Sequence, residues 1–185
     1  MTPGAGQGFS AFSAPRFTVD HMVIRLGRYL RLAGYDVFWS RKFRTHELIT
    51  ISNRDDRIFL TRNRHLSDEY PEPRHWLYVV PEHPVEQFRF VVGKLELGLE
   101  GAFSRCVLCN LPLAPVTDPE QQLDRVPVDV LNRRLPLRKC PGCGRVYWKG
   151  SHVHNTVRRL GLPLPDDRAG NQDGEVRCGR GSGPT

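Results

Sequence analysis

The pairs Cys106-Val-Leu-Cys109 and Cys140-Pro-Gly-Cys143, thirty residues apart, constrain this chain more than any other feature of its sequence. Two residues between thiolates let both sulfurs of a tight turn face one ion. A second such turn completes a tetrahedral four-thiolate site with Zn–S distances of about 2.3 Å. Pro141, Gly142 and Gly144 supply turn chemistry for the second knuckle, and Val146-Tyr147-Trp148 reads as a ribbon strand. The competing readings are a redox C-x-x-C and two structural disulfides. Redox motifs usually come singly, and disulfides go with export. The first fifteen residues hold no Lys or Arg and no long apolar core, so no secretory signal is expected. The spacing therefore predicts a closed structural zinc (Zn²⁺) site of Cys106, Cys109, Cys140 and Cys143 in a ribbon over residues 104–155. Such a site stabilises and does not catalyse. The inserted stretch 117–135 is expected to be a loop with a short helix around Val128, Val130 and Leu131, and Cys178 is read as a bystander in the tail.

Upstream of the ribbon, short apolar runs alternate with amphipathic stretches. Phe17-Thr18-Val19, Val37-Phe38-Trp39, Ile58-Phe59-Leu60 and Trp76 to Val80 read as strands, the last being the longest unbroken apolar run. No segment is long enough to span a bilayer. Helices are predicted over 21–33, 45–53 and 85–95. The first carries Met22, Leu26, Tyr29, Leu30 and Ala33 on one stripe and stops at Gly34; the second has Thr45 as its expected N-cap. Continuous apolar strands alternating with helices argue for a parallel sheet covered on both faces, an α/β domain over residues 16–103. Residues 1–15 read as a disordered leader, and residues 156–185, rich in Gly toward the end, as a mostly disordered tail.

The chain of 185 residues carries 27 Lys+Arg against 20 Asp+Glu, a formal charge of +7 that favours a polyanionic partner such as RNA or DNA. Asp20 falls where a parallel strand meets the next helix, the end of the sheet at which ligands gather. Asp36 precedes the second strand, Glu47 lies on the second helix, and Asp68 follows the third strand's loop. Converging, these oxygens would suit Mg²⁺ or Mn²⁺. Taken singly, each carboxylate reads more readily as a helix cap, a turn residue or a solvated charge than as a metal ligand. A charge directly after a buried strand is costly without a partner or a task, which singles out Asp20. Arg25, Arg28 and Arg31 share the first helix opposite its apolar stripe, with Arg62 and Arg64 after the third strand. They form either a solvated face or a phosphate-backbone track. His152 stands after the ribbon strand as a phosphate contact or proton carrier, whereas His21 reads as a helix-start residue.

Phe17-Thr-Val-Asp20-His-Met22 followed by Leu26-Gly-Arg28-Tyr-Leu30-Arg31-Leu-Ala-Gly34-Tyr35-Asp36 resembles the opening of the Mut-seven C-terminal ribonuclease domains. Ile58-Phe-Leu-Thr61-Arg62, Phe103-Ser-Arg-Cys106-Val-Leu-Cys109-Asn110, Cys140-Pro-Gly-Cys143-Gly-Arg-Val-Tyr147-Trp148 and Gly150-Ser-His152 follow in family order, so the resemblance covers roughly residues 16–155. It implies a PIN-like α/β nuclease domain with a zinc ribbon and divalent-metal-dependent cleavage of RNA by a cluster of acids; the expected step is attack of metal-activated water, and the missing export signal is read as a cytoplasmic location. Carried over by position, Asp20 is the first metal-binding acid and Glu47 the second, while Asp36 belongs to the site or supports it. The family's Thr-Arg-Asp is Thr61-Arg62-Asn63 here, which removes one negative ligand. The alternatives are an RNA-binding module without turnover and an adaptor whose ribbon docks a protein partner.

Overall fold

A computed structural model describes residues 14–122, 124–148 and 150–162, with the side chains of residues 151, 152 and 154 excepted. β1 (Phe17–Val19) leads through a 3-10 turn (His21–Val23) into α1 (Ile24–Leu32). There follow β2 (Val37–Phe38), α2 (Thr45–Arg54), β3 (Ile58–Thr61), α3 (Leu66–Glu69), β4 (Trp76–Tyr78) and α4 (Pro84–Lys94). The four strands form one parallel sheet in the order β2-β1-β3-β4, in the register Phe17 beside Val37 and Ile58.

Both faces of the sheet are covered, as the apolar strands require. Phe17, Val19, Ile58 and Leu60 pack with Leu26 and Leu30 of α1 and Phe88 and Val91 of α4. Phe59 turns to the other face and joins Leu48 and Ile49 of α2 and Leu66 of α3. Alternation along β3 thus feeds two cores from one strand. Gly34, predicted as the stop after the first helix, adopts φ +98°, and a Cβ there would lie 2.1 Å from the Gly101 carbonyl oxygen. Only glycine fits both the left-handed backbone and that approach.

The first helix departs from its predicted stripe. Its 3-10 start rotates Met22 outward, to 59% exposure, and buries Val23 instead.

The cysteine-bearing part forms a second, antiparallel sheet of β5 (Ala114–Pro115), β6 (Arg138–Lys139) and β7 (Val146–Tyr147). The stretch between β5 and β6 holds a 3-10 turn (Pro119–Gln122) and α5 (Val128–Asn132), whose Val130 packs with Val126, Leu137 and Val146. Of the expected trio, Val128 faces water.

The largest correction concerns the tail. α6 (Ser151–Leu160) ends at Gly161, and Val157, Leu160 and Leu162 are buried in the same core as α1 and α4. Residues 156–162 are therefore part of the folded body, held by apolar burial that the tail's later composition hides. Residues 1–13 and 163–185, including Cys178, lie outside the described residues.

Candidate active site and metal centre

In the order β2-β1-β3-β4 the chain leaves β1 toward β2 and returns on the other side of β1 as β3. Helix α1 covers one face after β1, and α3 covers the opposite face after β3. The connections diverge at the carboxyl ends of β1 and β3, which is the crevice where open α/β sheets hold their ligands.

Asp20 stands there. It is 4% exposed, and its backbone N–H continues the ladder to the Leu60 carbonyl at 3.0 Å. One carboxylate oxygen accepts from the His21 N–H, and Oδ2 accepts from the hydroxyl of fully buried Thr61 at 2.7 Å. The Asn63 N–H donates to that same hydroxyl oxygen at 3.0 Å, so the proton of Thr61 is committed to Asp20. Among the described residues no cation pairs with Asp20.

Of the further expected residues, Asn63 is tied to this crevice through Thr61, and Glu47 lies in the first turn of α2. His21 Nε2 lies 2.9 Å from the Phe43 carbonyl oxygen, bringing the start of α2 to the Asp20 loop. In the first turn of α2, Glu47 Oε2 accepts from the Arg44 N–H at 2.7 Å. That bond makes Arg44 the N-cap, with the expected cap Thr45 inside the helix. Asn63 follows β3; its amide donates to Glu69 Oε2 at 3.0 Å and its oxygen accepts from the His65 N–H at 2.9 Å. Glu69 is a carboxylate beside the site that sequence reasoning did not single out, and its six-residue separation from Asn63 gives no periodic signal. Asp68 instead pairs with His65 at 3.1 Å on the surface.

Other expected residues lie elsewhere. Asp36 sits at the amino end of the sheet, where its carbonyl accepts from the Phe17 N–H. Its carboxylate binds Arg57 at 2.8 Å and accepts from the Asn110 amide at 2.6 Å. Burial pushes the Asp36 carboxyl upward, but the hydrogen bonds from Arg57 and Asn110 outweigh it and leave it below the usual range. Arg31, expected on a phosphate-facing surface, is instead only 5% exposed. Its guanidinium donates to the carbonyls of Val37, Val107 and Leu108 and lies 3.3 Å from the Trp39 ring centroid. Burial lowers its pKa to about 10. Arg25 and Arg28 are exposed, Arg62 reaches Glu82 at 3.5 Å, and Arg64 donates to the Tyr78 hydroxyl at 2.7 Å. His152 falls in the first turn of α6, and its side chain lies outside the described part.

Among the described residues, only Cys106, Cys109, Cys140 and Cys143 bring three or more Cys, His, Asp or Glu ligand atoms within 4.8 Å of one another. The acids therefore form no such cluster. Cys106 Sγ and Cys143 Sγ lie 3.8 Å apart. A tetrahedron with Zn–S bonds of about 2.3 Å has sulfurs about 3.8 Å apart, so the cysteines fit zinc. Without a cation, four thiolates repel. Burial opposes ionisation of Cys106, yet N–H groups of Cys109 and Leu108 and the Tyr147 hydroxyl hold it down to about 6. Cys109 moves the other way, to about 12, through its hydrogen bond with Cys143 and through burial. A bound cation reverses that repulsion.

The fold and site define a parallel α/β domain with one buried acid at its switch point and a four-cysteine cluster able to hold zinc. A family model described as Mut7-C RNAse domain matches residues 15–160, and the chain belongs to that family. No curated protein and no solved structure matches the chain.

Proposed function

We propose that this chain is a ribonuclease that cleaves RNA phosphodiesters at the crevice after β1 and β3, using Mg²⁺ or Mn²⁺ held by Asp20. The carrying observation is the buried Asp20 carboxylate, fixed by Thr61 and unpaired with any described cation. Mg²⁺ commonly binds through one or two carboxylates and completes its shell with waters and substrate phosphate, so one buried acid with a second at the rim fits it. Glu47 is that second acid, and the Asn63 oxygen completes the protein donors. The ion would supply charge neutralisation at the phosphate and a more acidic water. Two donors, the His21 N–H and the Thr61 hydroxyl, face the Asp20 carboxylate and fix its orientation. Arg62, Arg25, Arg28 and His152 take the RNA backbone, while Asp36 and Arg31 hold the frame. Zinc occupies the four cysteines, reduced thiols fit a cytoplasmic location, and the exposed Leu108 and Leu111 of the first knuckle are where a protein partner would dock.

A second reading, an RNA-binding module without turnover, is favoured by Asn63, an amide where the family pattern has a carboxylate. Mass spectrometry of reaction products separates the two. Attack of water on phosphorus with departure of the 3′-oxygen leaves 5′-phosphate and 3′-hydroxyl ends. Cyclic phosphate ends, or intact RNA bound tightly by the zinc-loaded chain, would overturn the metal-dependent reading.

A further inference from the structure

Residues 40–44, Ser-Arg-Lys-Phe-Arg, run from the carboxyl end of β2 into the first turn of α2. Arg41, Lys42, Phe43 and Arg44 are all exposed, Phe43 at 36%. Among the described residues none of the three cations forms an ion pair. The Phe43 ring is steadied by Phe38, with centroids 6.2 Å apart at 34°, while a third of the residue stays in water. The contact between His21 Nε2 and the Phe43 carbonyl oxygen fastens this segment to the residue that follows Asp20.

An exposed ring alone is ordinary; what marks this segment is a ring held open beside three cations that have no ion-pair partner among the described residues. Cations flanking an exposed ring match what an unpaired polynucleotide offers: phosphates along a backbone and free base faces. A duplex buries those faces in its own stack, so the ring gains nothing from it. We propose that residues 40–44 form a platform for unpaired RNA that delivers the strand to Asp20, with a base stacked on Phe43 and flanking phosphates on Arg41, Lys42 and Arg44. The substrate class is therefore single-stranded RNA. This rests on the ribonuclease reading of the Asp20 crevice.

The test uses the zinc-loaded full chain carrying Asp20→Asn to block turnover, with an oligoribonucleotide containing 2-aminopurine, alone or annealed to its complement. Stacking on Phe43 predicts quenched fluorescence and tighter binding of the unpaired strand. Phe43→Ala should relieve the quenching and weaken binding about tenfold, Phe43→Tyr should preserve both, and Phe43→Leu, which keeps an apolar contact with Phe38, should behave like alanine. Replacing Arg41, Lys42 and Arg44 by Gln should reduce the log–log salt slope by about 2. Unchanged affinity and quenching in both Phe43→Ala and Phe43→Leu, or equal affinity for the duplex, would overturn the platform. If wild-type cleavage still needs Asp20 in that case, the ribonuclease reading stands; if the wild type neither binds nor cleaves RNA, both fall.

Discussion

One hydroxyl organises the candidate site. Thr61 is fully buried, donates to Asp20 and accepts from the Asn63 N–H, so it links the ends of β1 and β3. Thr61→Val keeps the shape and removes the proton, leaving Asp20 short of one donor. Urea unfolding should show a loss of about 1–3 kcal/mol, with most of it restored in Thr61→Ser. At the other end of the sheet, Asp36 has its carboxyl held below the ordinary range in the folded chain. A depressed carboxyl contributes stability that is complete above its unfolded pKa, about 3.9, and is lost as pH falls through the lower folded value. Acid titration monitored by circular dichroism should therefore show wild type losing stability below about pH 4 more steeply than Asp36→Asn. Equal slopes would remove that contribution. Asp20 was legible in the sequence because a charge directly after a buried strand demands a reason. The role of Asp36 was not, because a residue before a strand looks the same whether it faces a ligand or an arginine twenty-one positions away.

At the scale of elements, the first helix shows where periodicity ends as a guide. Spacing put Arg31 with Arg25 and Arg28 opposite the apolar stripe. The structure instead buries it against Trp39 and under the first cysteine knuckle, whose Val107 and Leu108 carbonyls it binds. An apolar stripe locates one partner, the sheet; it carries no information about a second partner arriving seventy-six residues later. Asn110 closes the same seam, its oxygen accepting from the Val37 N–H and its amide donating to Asp36. Together, Arg31 and Asn110 fix the knuckle to β2. Removing zinc should therefore loosen the α/β domain as well as the ribbon. Thermal unfolding is expected to show one transition that shifts downward with a strong chelator, and Arg31→Met should reproduce much of the shift, at a cost of about 2–4 kcal/mol. Two independent transitions, with only one sensitive to chelator, would contradict that coupling. The strands and cysteine turns were readable because their signals are local. The seam is a long-range pairing of side chain with carbonyl and left no local trace.

For the whole molecule, the chain comes back to the α/β domain after the ribbon, which keeps its own small core of Val126, Val130, Leu137 and Val146. α6 follows the last ribbon strand yet returns Val157, Leu160 and Leu162 to the α/β core. The division expected at residue 155 falls inside α6, which runs from Ser151 to Leu160. The excess of cations is likewise used in two ways. Arg31 and Arg57 bind groups of the fold, whereas Arg25, Arg28, Arg41, Lys42 and Arg44 remain exposed, where the proposed RNA would meet them. Among the described residues no helix is long and apolar enough to cross a membrane. The central claim, that turnover depends on a hard cation held by Asp20, is tested most directly by cleavage of labelled single-stranded RNA. The zinc-loaded chain should be assayed with Mn²⁺ and after a chelator too weak to strip the cysteines, beside Asp20→Asn. The account predicts cleavage by wild type with Mn²⁺, none after chelation, and a loss of at least about a hundredfold in Asp20→Asn. Equal cleavage by Asp20→Asn, or cleavage indifferent to the divalent ion, would contradict it.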